Sequence, residues 1–282
     1  MRVAIIGLGL IGGSIGLALS RLDADIEVVG FARKPLVASR ALGRGAVKRI
    51  EGSVDSTVSG SDLVIVATPA MAVKGVLSEI RDSLHKGAIV TDVASTKSAV
   101  MGWAEEVLPA SVNFIGGHPM AGKEASGIEA ADGDLFQGCT YCLVPGRHAT
   151  KKAVALLEAL VRRIGAEPLC LDAAEHDRLV AGISHLPLLI SVALVSATMG
   201  SPLWPAMSRL AATGYRDVSR LASGDPLMGR DICLTNKEPI LRWLDDYIEE
   251  LKKLRSLIDG GSGELEQAFV RAREAREKWL RM

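Results

Sequence analysis

The sequence predicts an α/β domain, wound on both faces of a parallel sheet, over residues 1–171, followed by an all-α domain over residues 172–282. Three observations carry that expectation. The chain opens on a short apolar run, Val3, Ala4, Ile5 and Ile6, which leads straight into Gly7, Gly9 and Gly12 at G-x-G-x-x-G spacing and then into an apolar helical pattern. Short apolar runs then alternate with helical patterns as far as Leu171. From Asp172 onward the strand signal disappears and helical patterns continue to the end.

The opening stretch, GLGLIGGS over residues 7–14, suits a dinucleotide pyrophosphate. A helix N-terminus offers free N–H groups and the positive end of a dipole to a phosphate. Gly7 permits the tight turn, Gly9 lets the backbone approach the phosphates, and Gly12 lets the helix pack on the strand, with Leu10 and Ile11 lining the cradle between them. This is the arrangement of a Rossmann-type nucleotide-binding domain.

Composition narrows the remaining possibilities. With 282 residues, 48% hydrophobic and 23% charged, the chain has the profile of a globular protein with a sizeable core. Lys plus Arg and Asp plus Glu number 33 each, so net charge gives no argument for nucleic acid or an anionic membrane as partner. A small molecule is the expected partner. The first residues lack the basic start and cleavage site of a secretory signal, which points to the cytoplasm. Four scattered cysteines agree with a reducing compartment. Cys139 and Cys142 form C-x-x-C inside a strand-like run with no second such pair, so no metal site is expected.

After the first helix, residues 26–31 (IEVVGF) read as a second strand, and its end is where a nucleotide-binding unit meets the adenosine ribose. An acid there suits the 2′-hydroxyl of NAD. This chain has Ala32, Arg33 and Lys34, which predicts NADP, with NAD as second choice. Residues 35–43 read as a helix, 46–50 as a third strand, and 62–69 (DLVIVATP) as a buried central strand that brings Thr68 and Pro69 to the cofactor. A helix over 72–84 and a strand over 87–92 follow. Asp92, Ser95, Thr96 and Lys97 then stand at a carboxyl end of the sheet, facing the cofactor crevice, with Ser95 or Thr96 able to cap the next helix. The strand over 112–117 ends at His118, with Pro119 behind it. Strands over 141–145 and 167–171, flanking a helix over 151–164, complete a sheet of about eight strands.

In the second domain, residues 179–200 contain no Asp, Glu, Lys or Arg. The length would span a bilayer, but His185, Pro187 and several hydroxyls favour a helix buried on all sides in a helical core or a subunit interface. Residues 212–226 form a loop or broken helix in which Arg216 and Arg220, four apart, would share a helical face suited to a carboxylate. Residues 239–257 and 265–280 are amphipathic helices with structural roles.

With these stretches assembled, the sequence resembles the prephenate and arogenate dehydrogenase family of tyrosine biosynthesis. The resemblance rests on GLGLIGGS (7–14), TDVASTK (91–97), GGHPMAGKEASG (116–127), EHDRLVAGISHLP (175–187) and GYRDVSRLASGDP (214–226), in family order. It implies oxidative decarboxylation of a cyclohexadienyl acid, and a C-terminal domain that interlocks with its twin in a homodimer. It also implies roles: His118 as the base that takes the ring hydroxyl proton, Ser95 beside that hydroxyl, and His185 as a second active-site histidine. Arg220 is implied to grip a substrate carboxylate, Arg216 to be a second cation, and Glu124 to line the pocket entrance. Where relatives read D-P-x-M-W-R-D this chain has Gly229 in place of the aromatic, which puts the choice between prephenate and arogenate in doubt. With the chain ending at Met282, any inhibition by tyrosine is expected at the active site itself.

Two other functions share the N-terminal signal: a two-domain reductase of imines or β-hydroxy acids, and a non-catalytic NADP-binding sensor. The former has no need of the histidines in H-P-M and S-H-L-P. The latter would not need the polar positions expected for catalysis to be filled.

Overall fold

The computed structural model describes residues 1–22, 25–261 and 263–282. Eight strands form one sheet: β1 Arg2–Ile6, β2 Glu27–Phe31, β3 Arg49–Ile50, β4 Leu63–Val66, β5 Ile89–Asp92, β6 Asn113–Pro119, β7 Thr140–Pro145 and β8 Glu167–Cys170. Their order is β3-β2-β1-β4-β5-β6-β7-β8. Strands β1 to β6 are parallel, whereas β7 runs antiparallel to β6 and β8 follows β7. The reversal has a local cause. A parallel return needs a crossover helix, and between β6 and β7 the chain makes only a 3₁₀ turn, Ile128–Ala130.

Helices α1 Leu10–Ser20, α2 Pro35–Gly43, α3 Val54–Val58, α4 Val73–Ile80, α5 Ser98–Val107 and α6 Lys151–Arg163 cover the two faces. Alternation along β1 shows how one strand serves both. Val3 and Ile5 pack with Ile15 and Leu19 of α1 and Leu157 and Leu160 of α6. Ala4 and Ile6 pack with Val73 and Leu77 of α4 and Val100 and Ala104 of α5. Because β4 and β5 are buried at every position, their sequences read as continuous apolar runs. The expected third strand over 46–50 shrinks to Arg49–Ile50, and α3 is an element that the sequence reading did not foresee.

The helical region begins with α7 Ala173–Val180, continues through a π-helical turn, Ala181–His185, and runs on as α8 Leu186–Met199. Pro187 cannot donate to a preceding carbonyl, and the helix widens just ahead of it. Then come α9 Trp204–Met207, α10 Thr213–Ser219, a 3₁₀ turn Arg220–Ser223, and α11 Pro226–Thr235. Residues 1–237 form one compact unit and residues 238–282 another, the latter holding most of α12 Lys237–Asp259 and all of α13 Glu264–Leu280.

The uncharged run over 179–200 is not buried on all sides in the single chain, which corrects the core-helix alternative. Within α8 only Ser191 is buried, while Val192 and Met199 are 44% and 50% exposed. The 3₁₀ turn and α10 pack on part of it, and Val192, Ala193, Ala197 and Met199 stay exposed. By length and composition the helical stretch from residue 173 to 199 could also cross a membrane.

Candidate active site

The carboxyl ends of β1, β2 and β4 meet where the strand order reverses, the usual place for a ligand in an open α/β sheet. Gly7 has φ +101°, and a Cβ there would lie 2.4 Å from the Ala67 carbonyl oxygen. At Gly12 a Cβ would lie 2.0 Å from the Gly7 oxygen, so the turn closes on the helix only without one. Around Gly9 the space is open. Helix α1 starts at Gly9 with no side-chain cap and no acid in its first turn, leaving its positive end available to an anion. Nearby at the end of β4, the Thr68 hydroxyl is buried without a hydrogen-bond partner, and Pro69 follows it. After β2, Ala32 is half-buried, and Arg33 and Lys34 are exposed. A turn shaped for close approach, an uncapped helix end and an orphaned hydroxyl fit a dinucleotide cofactor.

Of the polar groups at the end of β5, only Ser95 lines the main cavity. Asp92, Thr96 and Lys97 are buried, so the expectation that all four face the crevice is corrected. The Lys97 ammonium, wholly enclosed, pairs with the Asp92 carboxylate and donates to the Gly117 carbonyl oxygen at 2.6 Å. Asp92 also accepts from the Ala94 and Gly117 amides at 2.8 and 3.1 Å. Burial lowers the pKa of Lys97 while Asp92 opposes that shift. Nor does Ser95 or Thr96 cap α5. The carboxylate of Asp177 does, accepting from the Lys97 and Ser98 amides at 2.7 and 2.8 Å from across the fold.

His118 is placed by β6 at the wall of a cavity of about 540 Å³. It is 8% exposed, and burial followed by the charge of Lys97 holds its pKa well below the ordinary histidine value. Its Nδ1 lies 2.9 Å from Nε2 of His176, whose own Nδ1 lies 2.9 Å from Oδ1 of Asp177. Burial works to raise the pKa of Asp177, but hydrogen bonds from His176 and the two α5 amides outweigh it and hold the carboxyl low. His185 is enclosed behind the cavity, its neighbours Ser184 and Pro187 forming the wall. Its Nδ1 faces the Asn236 amide at 3.1 Å, and its buried Nε2 has no hydrogen-bond partner. Burial pushes its pKa down to about 4, against the raising effects of the Asp177 charge and the Ser95 main chain.

Leu10 and Ile11 from the cradle line the same cavity, and so do Glu124 and Arg220. The last two are ion-paired with each other at its rim, and both stay about half exposed. The Glu124 carboxyl is held below its ordinary range first by its own main-chain N–H and then by Arg220. Such an exposed pair is weak, so a ligand carboxylate can compete for the guanidinium. Arg216 is exposed on α10 and does not line the cavity. The α-helix ends at Ser219 and Arg220 opens the 3₁₀ turn, and of the two arginines only Arg220 lines the cavity.

Sequence reasoning missed His176 and Asn236 and gave Asp177 no part. His176 and Asp177 sat within a quoted motif, and their signal was an adjacent His-Asp pair just before an uncharged helix. Asn236 carried none. Among the described residues, no group of three or more His, Cys, Asp or Glu side chains is placed to hold a metal ion.

Two sequence families match this chain: prephenate dehydrogenase, nucleotide-binding domain, over residues 15–169, and prephenate dehydrogenase, dimerization domain, over residues 172–272. It is 37% identical to a prephenate dehydrogenase of Bacillus subtilis over 98% of its own length and 75% of that protein. Among solved structures, the arogenate dehydrogenase of Synechocystis is 31% identical, with a TM-score of 0.83 over 99% of this chain and 100% of that one. The prephenate dehydrogenase of Aquifex aeolicus, solved with hydroxyphenyl propionate and NAD+, is 27% identical, with a TM-score of 0.91 over 99% and 98% of the two chains.

Proposed function

The chain belongs to the prephenate dehydrogenase family, and on that premise we propose that it oxidatively decarboxylates prephenate or arogenate with a nicotinamide cofactor, giving 4-hydroxyphenylpyruvate or tyrosine. One observation supports this most. A single cavity brings the His118 imidazole, the Ser95 hydroxyl and the Arg220 guanidinium beside Leu10 and Ile11 of the nucleotide cradle. Residues 1–171 hold the cofactor in this reading, and residues 172–282 complete the substrate site and pair two copies.

A nicotinamide nucleotide held at Gly7, Gly9 and Gly12 would supply a hydride acceptor for the ring carbon that bears the hydroxyl. His118 takes the hydroxyl proton. Its depressed pKa keeps it neutral and able to accept near pH 7. A weak base is enough, because that hydroxyl becomes strongly acidic as its carbon is oxidised. Ser95 hydrogen-bonds the same oxygen, and His185 helps to hold the ring. Arg220 exchanges Glu124 for a substrate carboxylate, and Arg216 adds positive potential from outside the cavity. The ring carboxylate leaves as CO₂, and aromatisation drives the reaction forward.

For the cofactor we infer a preference for NADP over NAD, supported by Arg33 and Lys34 and by the absence of an acid at the end of β2. We place the enzyme in the cytoplasm as a homodimer whose interface covers the apolar side chains of α8. Purified protein with each cofactor and either prephenate or arogenate, followed by absorbance of the reduced cofactor, tests the activity; no turnover in all four mixtures overturns it. A lower KM for NAD than for NADP overturns the cofactor preference, and a monomeric mass in solution overturns the pairing.

A further inference from the structure

Three buried side chains that do not line the active-site cavity, His176, Asp177 and Asn236, connect the two active-site histidines to one point of the fold. We propose that Asp177 is a positioning hub that holds His118 and His185 in opposite tautomers, making His118 a proton acceptor and His185 a hydrogen-bond donor at their Nε2 atoms. The inference rests on the dehydrogenase reading of the cavity and assigns how its two imidazoles are divided between roles.

The assignment follows from which atoms can only accept. A carboxylate has no proton to give, so the 2.9 Å contact between Asp177 Oδ1 and His176 Nδ1 requires the proton on Nδ1 of His176. With that single proton, the proposal leaves a lone pair at Nε2 of His176, 2.9 Å from His118 Nδ1, which then donates. Nε2 of His118 is left bare. When it takes up a proton, the imidazolium stays hydrogen-bonded through Nδ1 to a ring oriented by the Asp177 carboxylate.

The second branch begins at the main chain of the same residue. A carbonyl oxygen is also acceptor-only, so the 2.8 Å contact from Asn236 fixes its NH₂ group toward the Asp177 carbonyl. The same NH₂ lies 3.1 Å from His185 Nδ1, which therefore accepts. The proton of His185 must sit on Nε2, the buried atom without a partner. That donor is enclosed behind the cavity wall, where the Ser95 main chain acts to favour the protonated ring.

Asp177 is well suited to set both. Two α5 amides and His176 fix its carboxylate, Asn236 fixes its carbonyl, and the N-terminus of α5 favours its charge. The hub also joins α7, which carries His176 and Asp177, to the sheet that carries His118.

The test is nitrogen-15 NMR of histidine-labelled protein without ligands, with rings assigned by single variants. The expected pattern is a protonated Nδ1 and bare Nε2 for His118, and the reverse for His185. Either ring in the other tautomer, or a doubly protonated His176, overturns the proposal. Kinetics give a second arm. His176→Leu removes the acceptor and should lower kcat by about 10²- to 10⁴-fold, up to the loss that follows when a catalytic imidazole takes the wrong tautomer, with KM within threefold. His176→Gln can accept from His118 and donate to Asp177, and should stay within tenfold of the wild type. Equal losses in the two variants, or no loss in the leucine variant, overturn the hub. If instead His118→Asn keeps full turnover, the underlying reading of the cavity fails whatever the NMR pattern is.

Discussion

Replacing Lys97 by methionine keeps a long side chain in a fully enclosed position and removes only its charge. In the wild type that ammonium pairs with the Asp92 carboxylate and donates to the Gly117 carbonyl. Asp92 would keep its hydrogen bonds from the Ala94 and Gly117 amides, but its charge would be buried without a counter-ion. Breaking a buried pair from one side costs about 3–5 kcal/mol, a large part of the roughly 5–15 kcal/mol that holds a domain folded. At roughly 2–4 °C per kcal/mol for a unit of this size, the melting temperature of Lys97→Met should fall by about 6–20 °C. Adding Asp92→Asn removes the stranded charge. An amide oxygen can still accept one of the two backbone N–H groups, so the double variant should regain at least about 1 kcal/mol relative to the single one, though not reach the wild type. Urea unfolding of the three proteins without ligands measures both steps. A single variant within about 1 kcal/mol of the wild type, or a double variant no more stable than the single one, refutes the assignment of Lys97 and Asp92 as a mutually dependent buried pair.

Gly12→Ala should abolish cofactor binding while the protein stays folded, since a Cβ 2.0 Å from the Gly7 oxygen forces the turn open; fluorescence titration with reduced cofactor checks it, and wild-type affinity rejects it. Acid should weaken the fold through its buried neutral histidines. His185 falls from about 6.5 unfolded to about 4 folded, so its contribution is complete above about pH 6.5 and is lost as pH falls toward 4, about 3 kcal/mol in all. His118 acts in the same direction. A urea midpoint that does not decline over that range, or declines equally in His185→Gln, contradicts this. Arg220→Ala should raise KM for the substrate about 10- to 100-fold with a smaller change in kcat, because a charged hydrogen bond contributes on the order of 1.5–3 kcal/mol; an unchanged KM in steady-state assays rejects the carboxylate contact.

Local signals made much of this molecule legible. The cradle could be read because strand, glycine spacing and helix lie within fourteen consecutive residues, and the structure builds them as β1, the turn and α1. The eight-stranded sheet was readable for a similar reason, since strands buried on both faces leave unbroken apolar runs. The short α3 gave too little sequence to carry a period, and the direction of β7 depended on the absence of a crossover helix. Arg216 and Arg220 stand four apart in what reads as a loop or broken helix, and only Arg220 reaches the cavity wall.

What the sequence determined by itself was most of the order of strands and helices, the glycine turn ahead of α1, and several residue types on the wall of the cavity, because each depends on neighbours close along the chain. Only the tertiary structure decided how those residues are charged and which atoms they present. Lys97 and Asp92 look like crevice-facing groups in the sequence, and they become an internal ion pair when β5 and β6 close over them. His176 has no apparent role until α7 packs beside α5, which brings the Asp177 carboxylate to a helix end and the His176 ring to His118. Proton positions are settled by contacts between residues 58, 59 and 51 apart in the chain, distances over which no local pattern carries information.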